Sequence, residues 1–496
     1  MPVADPEIQP GIKSEGTPAS SRGRWVDGNL IRWYAGSMRP IGGWSRAYDG
    51  VMTGKPRAAF SWCRNTLSNL VAVGTSSRLY VITPSSFFDI SPTDLLEGYS
   101  DSVTGIGYGV DYYDQGRYGT PRDEGIIKQA TTWSFANFGE WLLAVNTTDG
   151  RLLLWTGVPV TAPAVAVPVA PTNNQGVAIT PQRHVLLYGA GGDKRKLHWS
   201  SAETIDVWSP SATNSAGFLI VPSSEAVLAV KQYRNGMLVF TESSLYVMNY
   251  IGYPYIYNLS LISNSSSIVS PHVAVYVGSS LVWMGHDKFY TYDGNLKEIP
   301  CEVRDFVFSE LNKMQAVKSF GFHYSRFGEV WWFFPSIYST ENDRYVVWNY
   351  KEGVWYTGYL DRSAGWYTDS WSVPYLVSRD GILYKHETGW TANGQPLRTQ
   401  RYVVSSPILL REGEQHLLVQ GIVPDRDPSN AVGFVLESTG WPEEGSGFST
   451  GVLSGSPYIN CRFQSRSFRV KIVGIVDTDW EMGPFKFDVI PTGRRR

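Results

Sequence analysis

Thr148-Asp149-Gly150-Arg151 followed by Leu152-Leu153-Leu154-Trp155 is the stretch of this chain that comes nearest to an enzyme signature. It approaches the Ser-x-Asp-x-Gly-x-x-Trp box of sialidases but lacks the spacer between Asp and Gly. An Asp-Gly step between apolar strands instead supplies the positive φ angles of a type I′ hairpin turn. Arg379-Asp380-Gly381 and Tyr292-Asp293-Gly294 read as hairpin turns for the same reason. Carboxylate pairs for glycoside hydrolysis come from separate strands and leave no spacing to recognise. The histidines, His184, His198, His272, His286, His323, His386 and His416, stand singly, without the i, i+4 pair that holds zinc. Gly189-Ala190-Gly191-Gly192 has the glycines of a phosphate loop, yet Asp193-Lys194-Arg195-Lys196 and a strand follow where a helix N-terminus is needed. No Gly-Lys-Ser/Thr phosphate signature and no Gly-x-Ser-x-Gly nucleophile elbow occur. The sequence therefore nominates no catalytic, cofactor-binding or metal-ligating residue, and its reading is that of a non-enzyme without cofactors.

The elements that would have to position any such group follow one repeated phrase: an apolar strand, a tight polar turn, then a second strand closing on Leu-Tyr or Leu-x-Trp. It reads NLVAVGTSSRLYVI at 69–82, EWLLAVNTTDGRLLLW at 140–155, GMLVFTESSLYVMNY at 236–250, SLVWMGHDKFYTYDG at 280–294 and PYLVSRDGILYKHETG at 374–389. Weaker copies lie at 184–200 and, enlarged, at 329–358. Allowing for one insertion the copies recur roughly every 40–50 residues, the spacing of propeller blades. The expected fold is all-β: a β-propeller of about six or seven blades over 51–395, with an appended C-terminal antiparallel β domain.

Composition agrees. Aromatic residues make up 14% of the chain, with 19 Trp and 29 Tyr, side chains that suit pleated, half-buried surfaces. The net charge of −2 lacks the basic excess of a protein that grips nucleic acid. Cys63, Cys301 and Cys461 are too few and too scattered for a disulfide framework or a metal site, and read as reduced thiols. The N-terminus carries no apolar signal segment, and no apolar run of about 18 residues could span a bilayer. The expectation is assembly in cytoplasm without integral membrane insertion.

Residues 1–50 read as an N-terminal arm and first propeller strands. There Arg22, Arg24, Arg32 and Arg39 interleave with Trp25, Trp33 and Trp44. Arg and Trp dominate interface hot spots, so Arg22, Arg24, Trp25, Arg32 and Trp33 are candidate contacts with another chain. The alternative is a first propeller strand with its guanidiniums stacked on rings. Residues 93–130 interrupt the first repeat with a Gly/Tyr-rich stretch too poor in aliphatic residues for a core, expected as a long projecting loop. A helix is expected at about 302–316 from Val303, Phe306, Val307, Leu311 and Met314. After 395 the phrase stops. RSFRVKIVGI at 466–475 alternates Phe468, Val470 and Ile472 against Arg469 and Lys471, so 396–496 reads as a small antiparallel sandwich.

Several segments together resemble the nozzle or hub proteins of short-tailed bacteriophages, also known as packaged-DNA stabilisation proteins. These are GRWVDGNLIRW (23–33), PIGGW (40–44), LHWSSAETIDVWSPSATNSAGF (197–218), EVWWFFPS (329–336), DRYVVWNYKEGVWYTG (343–358) and SFRVKIVGIVDTDWEMGPFKFDVIPTGRRR (467–496). The resemblance implies a structural virion protein of the tail, a homo-hexameric ring below the portal and adaptor protein. Such a ring continues the channel for double-stranded genomic DNA, retains the packaged genome and allows its ejection, and tail fibre or spike proteins attach around it. A near-neutral wall suits a sliding polyanion better than a basic one. Within that picture Tyr108, Tyr112, Tyr113 and Tyr118 of the insertion are channel-gate candidates, the alternative being an external adhesive loop. A propeller tail protein that binds or hydrolyses glycans is the competing function.

Overall fold

The computed structural model describes residues 3–17, 20–65, 68–105, 126–409, 416–425, 431–439, 449–455 and 457–493. Seven up-and-down sheets follow one another along the chain, each starting from an innermost strand; six are four-stranded and antiparallel, and the seventh is part of a six-stranded sheet. Blade 1 is Pro56–Cys63, Asn69–Thr75, Leu79–Ile82 and Phe87–Asp89. The innermost strands of blades 2 to 7 are Trp133–Phe138, Gly176–Ile179, Val227–Tyr233, Val275–Val277, Phe320–Tyr324 and Ala364–Trp366. The last of these packs against the first, Pro56–Cys63, and so closes a ring. The seven copies of the sequence phrase hold the second and third strands of the seven blades, and the enlarged copy at 329–358 takes in most of the fourth strand of blade 6 as well.

Burial explains why those strands are the legible ones. The second strand of a blade has a neighbouring blade on each face, so Asn69–Thr75, Gly236–Thr241 and Glu329–Phe334 are apolar almost throughout and almost wholly buried. Packing between blades is correspondingly tight: a Cβ on Gly74 would lie 2.2 Å from the Trp133 ring of blade 2. That indole donates to the Thr75 carbonyl at 2.7 Å.

Blade 7 takes only its first three strands from the end of the propeller sequence. Its fourth strand is Trp44–Arg46, paired with Leu383–His386 in the register Trp44 with His386 and Arg46 with Tyr384, and the short strands Thr391–Ala392 and Gln395–Pro396 extend the sheet beyond it. A ring fastened by a strand from the other end of the chain has no free seam. The remaining N-terminal strands leave the propeller altogether. Val3–Ala4 pairs with Phe485–Gly493, and Arg24–Asn29 pairs with Tyr402–Ser405. They complete the two sheets of the C-terminal sandwich, whose core includes Phe434, Phe463, Phe468, Phe485 and Phe487. A boundary at 396 therefore marks where the blade phrase ends, while the sandwich itself is built from both ends of the chain. Gln9–Ile12 and Arg24–Asn29 also pack on the outer strand of blade 6, Val354–Tyr359, fusing sandwich and propeller into one core.

The segment expected as a helix at 302–316 differs. It forms one wide turn at Asp305–Ser309 and a short 3-10 turn at Ala316–Lys318. Val303, Val307 and Leu311 are buried as the spacing requires, but the backbone between the turns bonds elsewhere. Asn312 donates to the Pro335 carbonyl, and Ile337 donates to that of Glu310. The loop of blade 6 thus takes bonds a helix would have used.

Candidate functional site on the axial face

The segments that lead into the innermost strands, and the turns between second and third strands, gather at one end of the propeller axis. A four-charge cluster sits there. The Arg57 guanidinium grips Glu341 in two places, Nη1 to Oε2 at 2.8 Å and Nη2 to Oε1 at 2.7 Å. Lys318 Nζ donates to Asp101 at 2.6 Å and to Glu341 at 3.2 Å. Arg57 and Lys318 are buried and Glu341 nearly so. Burial works against ionisation of both carboxylates. The hydrogen bonds and charge of Arg57 outweigh it at Glu341, and those of Lys318 do so at Asp101, holding both below the usual carboxylate range.

This cluster anchors the start of the 93–130 insertion. Arg57 Nη2 donates to the Ser100 carbonyl at 2.5 Å, and Gln315 exchanges two hydrogen bonds with the Ser102 backbone. Asp94 pairs with Arg151, and the Leu96 N–H donates to Asp149. Val103–Gly105 and Ile126–Lys128 then pair as a two-stranded stem. Around it Leu96, Tyr99, Val103, Ile337 and Tyr338 are exposed, Tyr338 to 80%, leaving large apolar side chains on the axial face. Tyr108, Tyr112, Tyr113 and Tyr118 lie outside the described residues.

The arginine and tryptophan side chains of the N-terminal region are mostly committed to their own subunit. Arg32, 2% exposed, lies between Glu329 (Nε to Oε1, 2.9 Å) and Glu387 (Nη2 to Oε1, 2.6 Å), with its guanidinium carbon 3.9 Å from the Phe327 ring centroid. Trp33 packs on Tyr356 and Trp25 on Phe485, both indoles buried. Arg24 pairs with Glu302 of the blade 5 to blade 6 connection. Arg22 is exposed, bonding the Leu409 carbonyl at 3.3 Å. The sandwich and blades 6 and 7 thus enclose Trp25, Arg32 and Trp33 within one subunit, although their strands lie outside the propeller, Trp25 in a sandwich sheet and Arg32 and Trp33 in a separate hairpin. A pocket of about 340 Å³ opens beside Arg32, lined by Tyr34, Arg39, Arg326, Glu387 and Trp390 among others.

The remaining chemistry is structural. Glu329, whose carboxyl is pushed up by burial despite Arg32, is wholly enclosed and bonded by Tyr356 and Trp331, so no substrate reaches it. Among the described residues no three His, Cys, Asp or Glu side chains are grouped as metal ligands. His184 bonds the Ser200 carbonyl, His198 that of Trp208, and His323 the Tyr350 hydroxyl. Burial pushes the Cys301 thiol up to about 12 and that of Cys461 to about 11, which keeps both protonated. The Asp-Gly turns depart from the type I′ expectation: Gly150, Gly294 and Gly381 have positive φ but their aspartates do not. Asp149 instead serves as partner to Arg151, and the Gly150 N–H donates to the Asn146 carbonyl. The buried pair Arg57 and Glu341 escaped the sequence reading. Its one signal is a lone Arg at the second position of the otherwise uncharged PRAAFSWC.

No protein-family profile matches the chain, and no curated protein matches it. Among solved structures it is similar to BamB from Moraxella catarrhalis, at 8% identity and a TM-score of 0.37, over 73% of this chain and 95% of that one. It is also similar to an exported protein of Bacteroides fragilis NCTC 9343, at 8% identity and a TM-score of 0.31, over 51% of this chain and 88% of that one. Likenesses this distant do not bear on function. No helix among the described residues is long and apolar enough to cross a membrane.

Proposed function

We propose that this chain is a structural subunit of a short-tailed phage virion. Six copies form a nozzle or hub ring below the portal and adaptor, continue the DNA channel, hold the packaged genome and let it leave. Assembly takes place in the host cytoplasm, and tail fibres or spikes attach at the ring. The observation that supports this reading best is the axial face. There a buried cluster of Arg57, Glu341, Lys318 and Asp101 fastens an inserted segment to a rigid propeller and surrounds it with exposed apolar side chains. Such a face suits attachment to another protein. The near-zero net charge suits passage of DNA without tight phosphate contacts. Cryo-electron microscopy of phage particles carrying a tagged copy of this chain tests it. Six copies around the tail axis next to the adaptor are expected; a tag absent from particles, or confined to a solitary tip, overturns the reading. A knock-out is expected to yield particles that lose DNA.

A further inference from the structure

The hairpin of Ile31–Tyr34 and Ser37–Pro40 sets Arg32 directly opposite Arg39. Residues paired across antiparallel strands share a face, as do residues two apart on one strand, so Arg32, Tyr34 and Arg39 project on the same side. Two like charges placed face to face repel. Carboxylates from other elements offset this, Glu329 and Glu387 at Arg32 and Glu481 at Arg39, the last at 3.0 Å. The hairpin thereby presents a fixed polar wall to the cavity of about 340 Å³ beside Arg32.

Three other elements complete that cavity. Arg326 and Phe327 come from the turn between the first two strands of blade 6, Gly389 and Trp390 from the segment after the third strand of blade 7, and Asp479 from the sandwich loop between Ser467–Gly474 and Phe485–Gly493. The rings are held in place by their own subunit. Tyr34 meets Phe327 edge-on at 5.2 Å, Phe327 carries the Arg32 guanidinium carbon 3.9 Å from its centroid, and the fully buried Arg401 lies 5.6 Å from the centroid of Trp390. Trp390 is half-buried, and nothing lies within 4 Å of where a Cβ on the neighbouring Gly389 would stand. The indole borders open space.

Arg326 and Asp479 are both exposed, and neither forms an ion pair among the described residues. A guanidinium only donates hydrogen bonds and a carboxylate only accepts them, whereas a ligand hydroxyl does both. An anion attracted by Arg326 would also face Asp479 and Glu387, and a cation would face the arginines. A neutral ring bearing several hydroxyls satisfies both kinds of group and can lay its C–H face on an indole. The cavity volume lies at the lower end of the range of about 300–1,000 Å³ for small-molecule sites.

We propose that this cavity binds a neutral saccharide unit, its C–H face against Trp390 and its hydroxyls between Arg326 and Asp479. The site belongs to the single subunit and does not depend on assembly into a ring.

The test offers the full chain the methyl glycosides of glucose, galactose, mannose and N-acetylglucosamine, with saturation-transfer difference NMR as the readout. Transfer to the ring protons of at least one glycoside is expected, and with it a rise in melting temperature, because a ligand that binds only the folded state stabilises it. Asp479→Ala and Arg326→Ala remove exposed, unpaired side chains, so each is expected to melt like the unaltered protein. Each is expected to bind the glycoside about tenfold more weakly, the loss of one hydrogen bond to a charged group. Trp390→Ala is expected to abolish the transfer, and its melting temperature without sugar reports whether it folds. Should it unfold, the two exposed variants decide. No transfer to any of the glycosides, or transfer that is undiminished in both Asp479→Ala and Arg326→Ala, overturns the proposal. A melting rise with inorganic phosphate and with none of the glycosides would make the cavity an anion site and overturn it equally.

Discussion

Arg57 and Glu341 are 284 residues apart in sequence and form a two-pronged buried ion pair at the propeller axis. The arginine enters from the innermost strand of blade 1, the glutamate from the loop after Glu329–Phe334 of blade 6. Ser363, immediately before the innermost strand of blade 7, also approaches Glu341. One carboxylate thus ties three blades together where the ring closes, and the insertion is tied to the same point through Ser100 and Asp101.

Removing one partner of this pair leaves the other charge buried and unpaired. Arg57→Met or Glu341→Leu alone is expected to cost about 3–5 kcal/mol of unfolding free energy. The double variant is expected to recover much of that loss, since two apolar side chains leave no orphaned charge in the pair. Denaturant unfolding of the three variants checks this. Additive losses in the double variant would mean that the pair contributes by packing alone.

The blades were legible because a strand enclosed on both faces must be apolar at nearly every position, and seven such strands, each with its turn, announce themselves by repetition. Their number was fixed only by Trp44–Arg46 completing blade 7, a pairing across some 340 residues that leaves no local mark. The surroundings of two N-terminal residues were hidden for a related reason. Arg32 and Trp33 have the composition of an interface and do make one, but with blades 6 and 7 of their own chain.

Acid is expected to loosen the closure of blade 7. His386 stacks on Trp44 of the closing strand at 5.2 Å and accepts a hydrogen bond from Arg362 Nε at 2.9 Å. Burial, and then the charge of Arg362, hold its imidazole well below the ordinary value. In the unfolded chain the group titrates near about 6.5. Below that pH the unfolded state takes up a proton that the folded state refuses, so stability falls as pH falls through about 6.5. His272, brought down to about 3, acts in the same direction. Thermal melts between pH 7.5 and pH 5, pH values set by that titration window, are expected to show a decline. His386→Gln, which keeps an acceptor for Arg362, is expected to flatten it. An unchanged slope in that variant would place the acid sensitivity elsewhere.

The N-terminal arginines divide into one group that supports the subunit and one that is free to meet a neighbour. Arg32 holds Glu329 and Glu387 in place; Arg32→Ala leaves two carboxylates facing each other without their cation, one of them fully buried. Loss of about 3–5 kcal/mol is expected, and with it, on the proposed virion role, a failure to incorporate into particles that reflects misfolding. Arg22 is exposed and bonds a single backbone carbonyl, so Arg22→Ala is expected to change stability by less than about 0.5 kcal/mol. If the N-terminal region contacts another chain, Arg22→Ala impairs incorporation while the isolated subunit melts normally. Measuring melting temperature and incorporation side by side separates the two effects. Normal incorporation of Arg22→Ala, beside an unstable Arg32→Ala, would assign this region wholly to its own subunit and move the search for the ring interface to the apolar side chains on the axial face.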